Sequence, residues 1–124
     1  MLLHKDITDK ILSCFYTVYN TLGYGFLEKV YENALKIELE NEGLSCEVQK
    51  AISVFYDGYV VGKYYADIII ENKIILELKA CPLVKEHEFQ LLNYQKATEI
   101  EVGLLLSFGK EPKFKRKIFT NDKK

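Results

Sequence analysis

The run IILELKA, from Ile74 to Ala80, places Glu77 and Lys79 two residues apart. On an extended strand both side chains leave the same face, so an acid and a lysine stand side by side. Such a pair at a strand end is usually a surface ion pair. The preceding run, YYADIII, holds one acid, Asp67, among apolar and aromatic neighbours. A carboxylate buried there is costly unless it is paired, hydrogen-bonded or bound to a metal. A salt bridge from Asp67 to Lys79 is the purely structural alternative.

Strand register decides whether the two acids meet, because residues directly opposite in a hairpin point to one side. A three-residue turn, Glu71-Asn72-Lys73, sets Ile70 against Ile74, Asp67 against Glu77 and Tyr65 against Lys79. A two-residue turn at Glu71-Asn72 sends the acids to opposite faces unless a bulge restores the phase. We expect the odd-length turn or a bulge. Opposed Cβ atoms would then stand ~4.5–5.5 Å apart, where two carboxylates can share a hard cation. Mg²⁺ suits that arrangement, since it takes one or two protein carboxylates and keeps several waters.

Two further groups lie elsewhere in the chain. Glu28 opens the helical run that follows GFL, where an acid also has a plain role near a helix's positive end. Gln90 and Tyr94 are four residues apart and share a helix face, with His87 one turn earlier. Taken singly, these three make an ordinary polar stripe, and His87 has the profile of a surface or packing histidine.

The elements that must position these residues follow from periodicity. Ile7, Ile11, Phe15, Val18 and Leu22 predict a first helix, with Asp6 as N-cap and Gly23 as its stop. Leu27, Val30, Tyr31, Ala34, Leu35 and Leu39 predict a second, running out at Gly43. Strands are expected at 48–56 and 59–70, joined by an Asp57-Gly58 hairpin, and at 74–79, after which Pro82 ends the pairing. Helical spacing returns over 85–98 through Phe89, Leu92 and Ala97. Strands at 102–108 and 114–119 follow. The order is ααβββαββ: one α/β unit with a mixed sheet of about five strands flanked by helices.

A chain of 124 residues, 48% hydrophobic and with two prolines, fits a single domain with a real core and excludes a disordered or collagen-like one. No apolar run approaches the ~18 residues of a membrane span, and the charged start, MLLHKDITDK, is unlike a signal peptide. The expected compartment is the cytoplasm. Cys14, Cys46 and Cys81 lack metal-site spacing and read as reduced packing residues. The net charge of −1 gives no bulk argument for nucleic acid, but residues 110–124 carry a net +5 against −6 for the rest. A basic tail on an acidic body suits either a phosphate-tracking edge or a solvated, solubilising end.

The run Gly25-Phe26-Leu27-Glu28-Lys29-Val30-Tyr31 is similar to the signature of the GxxExxY proteins. Asp67 followed by Glu77-Leu78-Lys79 resembles the D…ExK core of PD-(D/E)XK nucleases, and the segment His87 to Thr98 resembles the QxxxY helix of their RecB-like branch. The likeness runs from about Gly23 to Phe119. It implies a nuclease-like domain over 1–124, with a core at about 23–119, and a divalent-metal phosphodiester hydrolase. By position it makes Asp67, Glu77 and the Leu78 carbonyl metal ligands for Mg²⁺ or Mn²⁺, with Glu28 completing the acidic cluster. Lys79 would position the attacking water and stabilise charge on the phosphate, and Gln90 and Tyr94, with His87 beside them, would hold the substrate strand or orient the metal's ligands. Ala66 stands where the family's name has proline.

The implied partner is nucleic acid, DNA ahead of RNA, and the shortness of the chain leaves room for a homodimer or larger partner. A non-catalytic nucleic-acid- or protein-binding module on the same fold is the alternative. A retaining glycosidase using Asp67 and Glu77 is disfavoured by Lys79, whose ammonium opposes a protonated general acid.

Overall fold

The computed structural model describes residues 2–124. Helix α1 spans Lys5–Leu22 and buries Ile11, Phe15 and Val18 along one stripe. Asp6 is not its N-cap. His4 occupies that position, and Asp6 sits in the first turn, where it complements the helix dipole. Gly23, at φ +68°, stops α1 as expected. Helix α2, Glu28–Asn41, buries Tyr31, Leu35 and Leu39. Leu27 and Val30 leave the predicted stripe: Leu27 is the N-cap and 79% exposed, and Val30 precedes the buried Tyr31 line and faces out.

Strands β1 (Cys46–Tyr56) and β2 (Tyr59–Ile70) form a long hairpin closed by Asp57-Gly58. Both turn residues have positive φ, which matches the twist of the flanking strands. Strand β3 (Ile74–Lys79) follows the three-residue turn Glu71–Lys73, and Ile70 faces Ile74. Helix α3 (Lys85–Lys96) then crosses to β4 (Val102–Phe108), which lies parallel to β3. Strand β5 (Pro112–Ile118) returns antiparallel, and a 3-10 turn (Asn121–Lys123) follows. The basic segment beyond residue 110 is thus half edge strand rather than a free tail.

The five strands lie in sequence order, β1-β2-β3-β4-β5. Helices α1 and α2 cover one face, against Ile68, Ile70, Leu76, Leu104 and Phe108. Helix α3 covers the other, with Leu91 and Tyr94 packed on Ile52, Ala66, Ile75 and Leu105. Gly103 admits this close approach: a Cβ there would meet the Leu91 side chain at 2.7 Å. Phe89, expected on the buried stripe, is 59% exposed, because the inward face runs through Glu88, Leu91, Tyr94 and Gln95. Glu88 is accommodated by Lys117 at 2.5 Å and Lys115 at 3.6 Å, which tie α3 to β5.

All three cysteines are free. Cys14 is buried and Cys46 half-buried, but Cys81 is exposed just before Pro82 and is not a packing residue. Among the described residues, no helix is long and apolar enough to cross a membrane.

Candidate active site

The central strands stop pairing where the acids begin. The β2–β3 ladder runs from Ile70–Ile74 to Ile68–Leu76 and ends one step before Asp67 and Glu77. There the carboxylates replace backbone carbonyls as acceptors. Glu77 Oε1 accepts the Asp67 N–H at 3.0 Å, and Asp67 Oδ2 accepts the Leu78 N–H at 2.8 Å. The expected pairing of Tyr65 with Lys79 does not form, because the strands have parted by then.

A change of strand phase aims Asp67. Ile68 and Ile70 point to the α1/α2 side and Ile69 to the α3 side, yet Ala66 also packs on the α3 side. The alternation therefore slips by one at Asp67. Strand β1 slips at the facing position: Cys46 packs with the α1/α2 core and Ile52 with the α3 core, although they lie an even six positions apart. The residue between is Gln49, at φ +52°, a left-handed conformation rare for a side-chain-bearing residue. Such strain concentrates where the surrounding structure holds a functional geometry.

Gln49 joins the acids of α2 to Asp67. Its Nε2 donates to Glu32 Oε1 at 2.7 Å and lies 3.3 Å from Asp67 Oδ1. Glu32 is 3% exposed and also takes Lys29 Nζ at 2.5 Å. Glu28, Glu32, Gln49, Asp67 and Leu78 line a cavity of about 170 Å³. Glu28, the first residue of α2, is exposed at its mouth, with Oε2 3.5 Å from the Ala80 N–H. Tyr31 holds the loop that delivers Glu28: its hydroxyl donates to the Gly23 carbonyl at 2.7 Å and accepts the Phe26 N–H at 3.3 Å, while its ring stacks on Phe108 at 4.2 Å.

Lys79 leaves the sheet toward α3. Its Nζ donates to Gln90 Oε1 at 3.2 Å, and Gln90 Nε2 donates to the Tyr94 hydroxyl at 2.8 Å. No ion pair joins Lys79 to Asp67, so the salt-bridge alternative falls. His87 turns to its own helix start, where Nδ1 accepts the Val84 N–H at 3.2 Å. Burial and the nearby Lys79 lower its pKa.

Electrostatically the site is short of positive charge. Burial, reinforced by Asp67, pushes the Glu77 carboxyl up to about 8, and burial raises Asp67 as well. Tyr94 is raised by burial and by the charge of Glu77.

A family model for the PD-(D/E)XK nuclease superfamily matches residues 5–118. The chain belongs to the PD-(D/E)XK nuclease superfamily. No curated protein and no solved structure matches it. The fold agrees: a mixed sheet flanked by helices, with a parted β2–β3 pair carrying the acids.

Nucleases of the PD-(D/E)XK superfamily use divalent metals. Among the described residues, no three His, Cys, Asp or Glu side chains stand grouped as a ready-made metal site. The donor set nevertheless suits a hard cation, since Asp67, Glu77, Glu28 and the Leu78 carbonyl offer oxygens alone. Asp67 and Glu77 each use one oxygen on a backbone N–H; the second oxygen of Asp67 accepts a long hydrogen bond from Gln49 at 3.3 Å, which a cation could displace.

The structure brings Glu28, Asp67, Leu78, Glu77, Lys79, Gln90 and Tyr94 to one edge of the superfamily fold. Glu32 and Gln49 are participants that sequence reasoning missed. Glu32 could have been found, because it lies four residues from Glu28 and shares its helix face. Gln49 left no such signal.

Proposed function

We propose that this PD-(D/E)XK protein is a divalent-metal-dependent phosphodiester hydrolase acting on nucleic acid, DNA ahead of RNA. We place it in the GxxExxY group, with Gln90 and Tyr94 as its QxxxY pair and 1–124 as one nuclease domain. The observation that carries this reading is the exchange of carboxylates between Asp67 and Glu77 beside Lys79.

Asp67, Glu77 and the Leu78 carbonyl would hold Mg²⁺ or Mn²⁺, with Glu28 closing the cluster directly or through water. When bound, the ion stabilises charge on the phosphoryl oxygens and lowers the pKa of a bound water. Gln90 holds the Lys79 ammonium at the site edge, where it orients the attacking water and donates to a phosphate oxygen. The donor-only Lys79 ammonium sets the orientation of the Gln90 amide, and Tyr94 accepts from the amide's nitrogen and anchors it. His87, whose Nδ1 is taken by the Val84 N–H, would contact the substrate through its other ring nitrogen.

The cytoplasm suits three free cysteines. A second copy or larger partner would help enclose a duplex. Pure binding through the basic segment is the weaker reading, because Glu88 engages both Lys115 and Lys117.

Cleavage of single- and double-stranded DNA and RNA with Mg²⁺ or Mn²⁺ tests the proposal. Hydrolysis should occur and fall at least ~100-fold in Glu77→Ala and in Lys79→Ala, as when a charge-stabilising group is lost. Activity that survives both substitutions refutes it.

A further inference from the structure

We infer that the groove between the β1–β2 hairpin and helix α3 is a subsite for an unpaired nucleobase of the substrate, stacked on Tyr64. The inference rests on the hydrolase reading above and adds to it a preference for single-stranded substrate.

The groove has a volume of about 480 Å³, within the range of pockets that hold small molecules. Phe55, Tyr64, Asn93 and Lys96 line it, and no acid does. Tyr64 and Phe55 are 48% and 64% exposed, so their rings are not committed to the core. Asn93 presents both donors and an acceptor, the pair of functions that reads a base edge. Lys96 Nζ rests over the Phe119 ring at 5.6 Å, where it remains available to a phosphate.

Continuity with the acids gives the groove its occupant. The Tyr64 ring lies 5.6 Å from Tyr94, whose hydroxyl holds Gln90, which in turn holds Lys79. Tyr64 also precedes Asp67 by three residues on β2, about 10 Å along the strand. A strand whose phosphate lies at Asp67 and Lys79 therefore brings a neighbouring base to Tyr64. Stacking on a side chain needs a free base face, which a duplex withholds within its own stack.

The test is fluorescence anisotropy at low salt, in EDTA, with a labelled single-stranded DNA oligonucleotide and its blunt duplex, alongside cleavage in Mg²⁺. The single strand should bind more tightly than the duplex. Tyr64→Ala should weaken single-strand binding about tenfold, in keeping with the loss of one stacked base, and leave duplex binding unchanged. Tyr64→Phe should bind like the unsubstituted protein, and Asn93→Ala, on an exposed helix position, should lose severalfold. Single-strand binding by Tyr64→Ala and by Asn93→Ala as tight as that of the unsubstituted protein would overturn the subsite. If cleavage sensitive to Glu77→Ala persists in that case, the hydrolase reading stands without it. Ring-dependent binding of the single strand without metal-dependent cleavage would support the subsite and refute the hydrolase reading instead.

Discussion

Asp67 and Glu77 each hold the other's strand: Glu77 Oε1 accepts the Asp67 N–H, and Asp67 Oδ2 accepts the Leu78 N–H. Two acids that substitute for backbone carbonyls are fixed by the sheet itself. Fixing them requires burial of Glu77, and that burial sets the electrostatic behaviour of the whole site.

The metal-free protein should lose stability as pH rises. The Glu77 carboxyl titrates at about 8 when folded, against 4.5 for the ordinary side chain. The folded state therefore keeps a proton that the unfolded chain has released, so the stabilisation is full below about 4.5 and is lost as pH rises through about 8. Unfolding free energies from urea titrations in EDTA at pH 5 and pH 8.5 should differ by an amount on the order of a few kcal/mol, and Glu77→Gln should remove most of the difference. A midpoint independent of pH across that window would contradict the assignment.

Millimolar Mg²⁺ or Mn²⁺ should raise the melting temperature at neutral pH. A ligand at about 100 times its Kd adds ~2.7 kcal/mol, which is several degrees for a chain of this size. The rise should vanish in Asp67→Ala, read by thermal denaturation with and without metal. An unchanged melting curve in the unsubstituted protein would count against a metal site.

Glu32 acts through Gln49, which bridges it to Asp67. Glu32→Gln removes the charge that holds this amide and should weaken Mn²⁺ affinity by about 10- to 100-fold, the usual range for a partner of a ligand. Isothermal titration measures this. Unaltered affinity would reduce Glu32 to a structural acid.

Gly103→Ala should destabilise the fold by about 1–3 kcal/mol, because the added methyl collides with Leu91. In Leu91→Ala the same change should cost much less. A double-mutant cycle by urea denaturation would show this coupling, and additive effects would mean that α3 does not depend on the close approach.

Much of this arrangement was legible from local chemistry. Strands β2, β3 and β4 fall where β-branched runs and turn residues put them, and Ile70 opposite Ile74 confirms the odd-length turn. The site's edge was less so. A slip of phase at Gln49 and Asp67 leaves composition unchanged while sending every later side chain to the other face. Phe89 is exposed while Glu88 is buried, because Lys115 and Lys117 on a distant strand neutralise the acid. Periodicity puts Leu27 on the buried stripe, because it does not reveal that the helix starts one residue later. Glu32 is hidden from the sequence because an acid on a helix reads as solvated, whereas Gln49 and Lys29 hold it buried.

The central claim is that Asp67, Glu77 and the Leu78 carbonyl meet at one cation. An anomalous difference map from crystals soaked in Mn²⁺ addresses it directly. One peak within coordination distance of all three oxygens, with Glu28 nearby, is the predicted result. Soaked crystals with no peak between β2 and β3, or with manganese bound only elsewhere on the surface, would contradict the account.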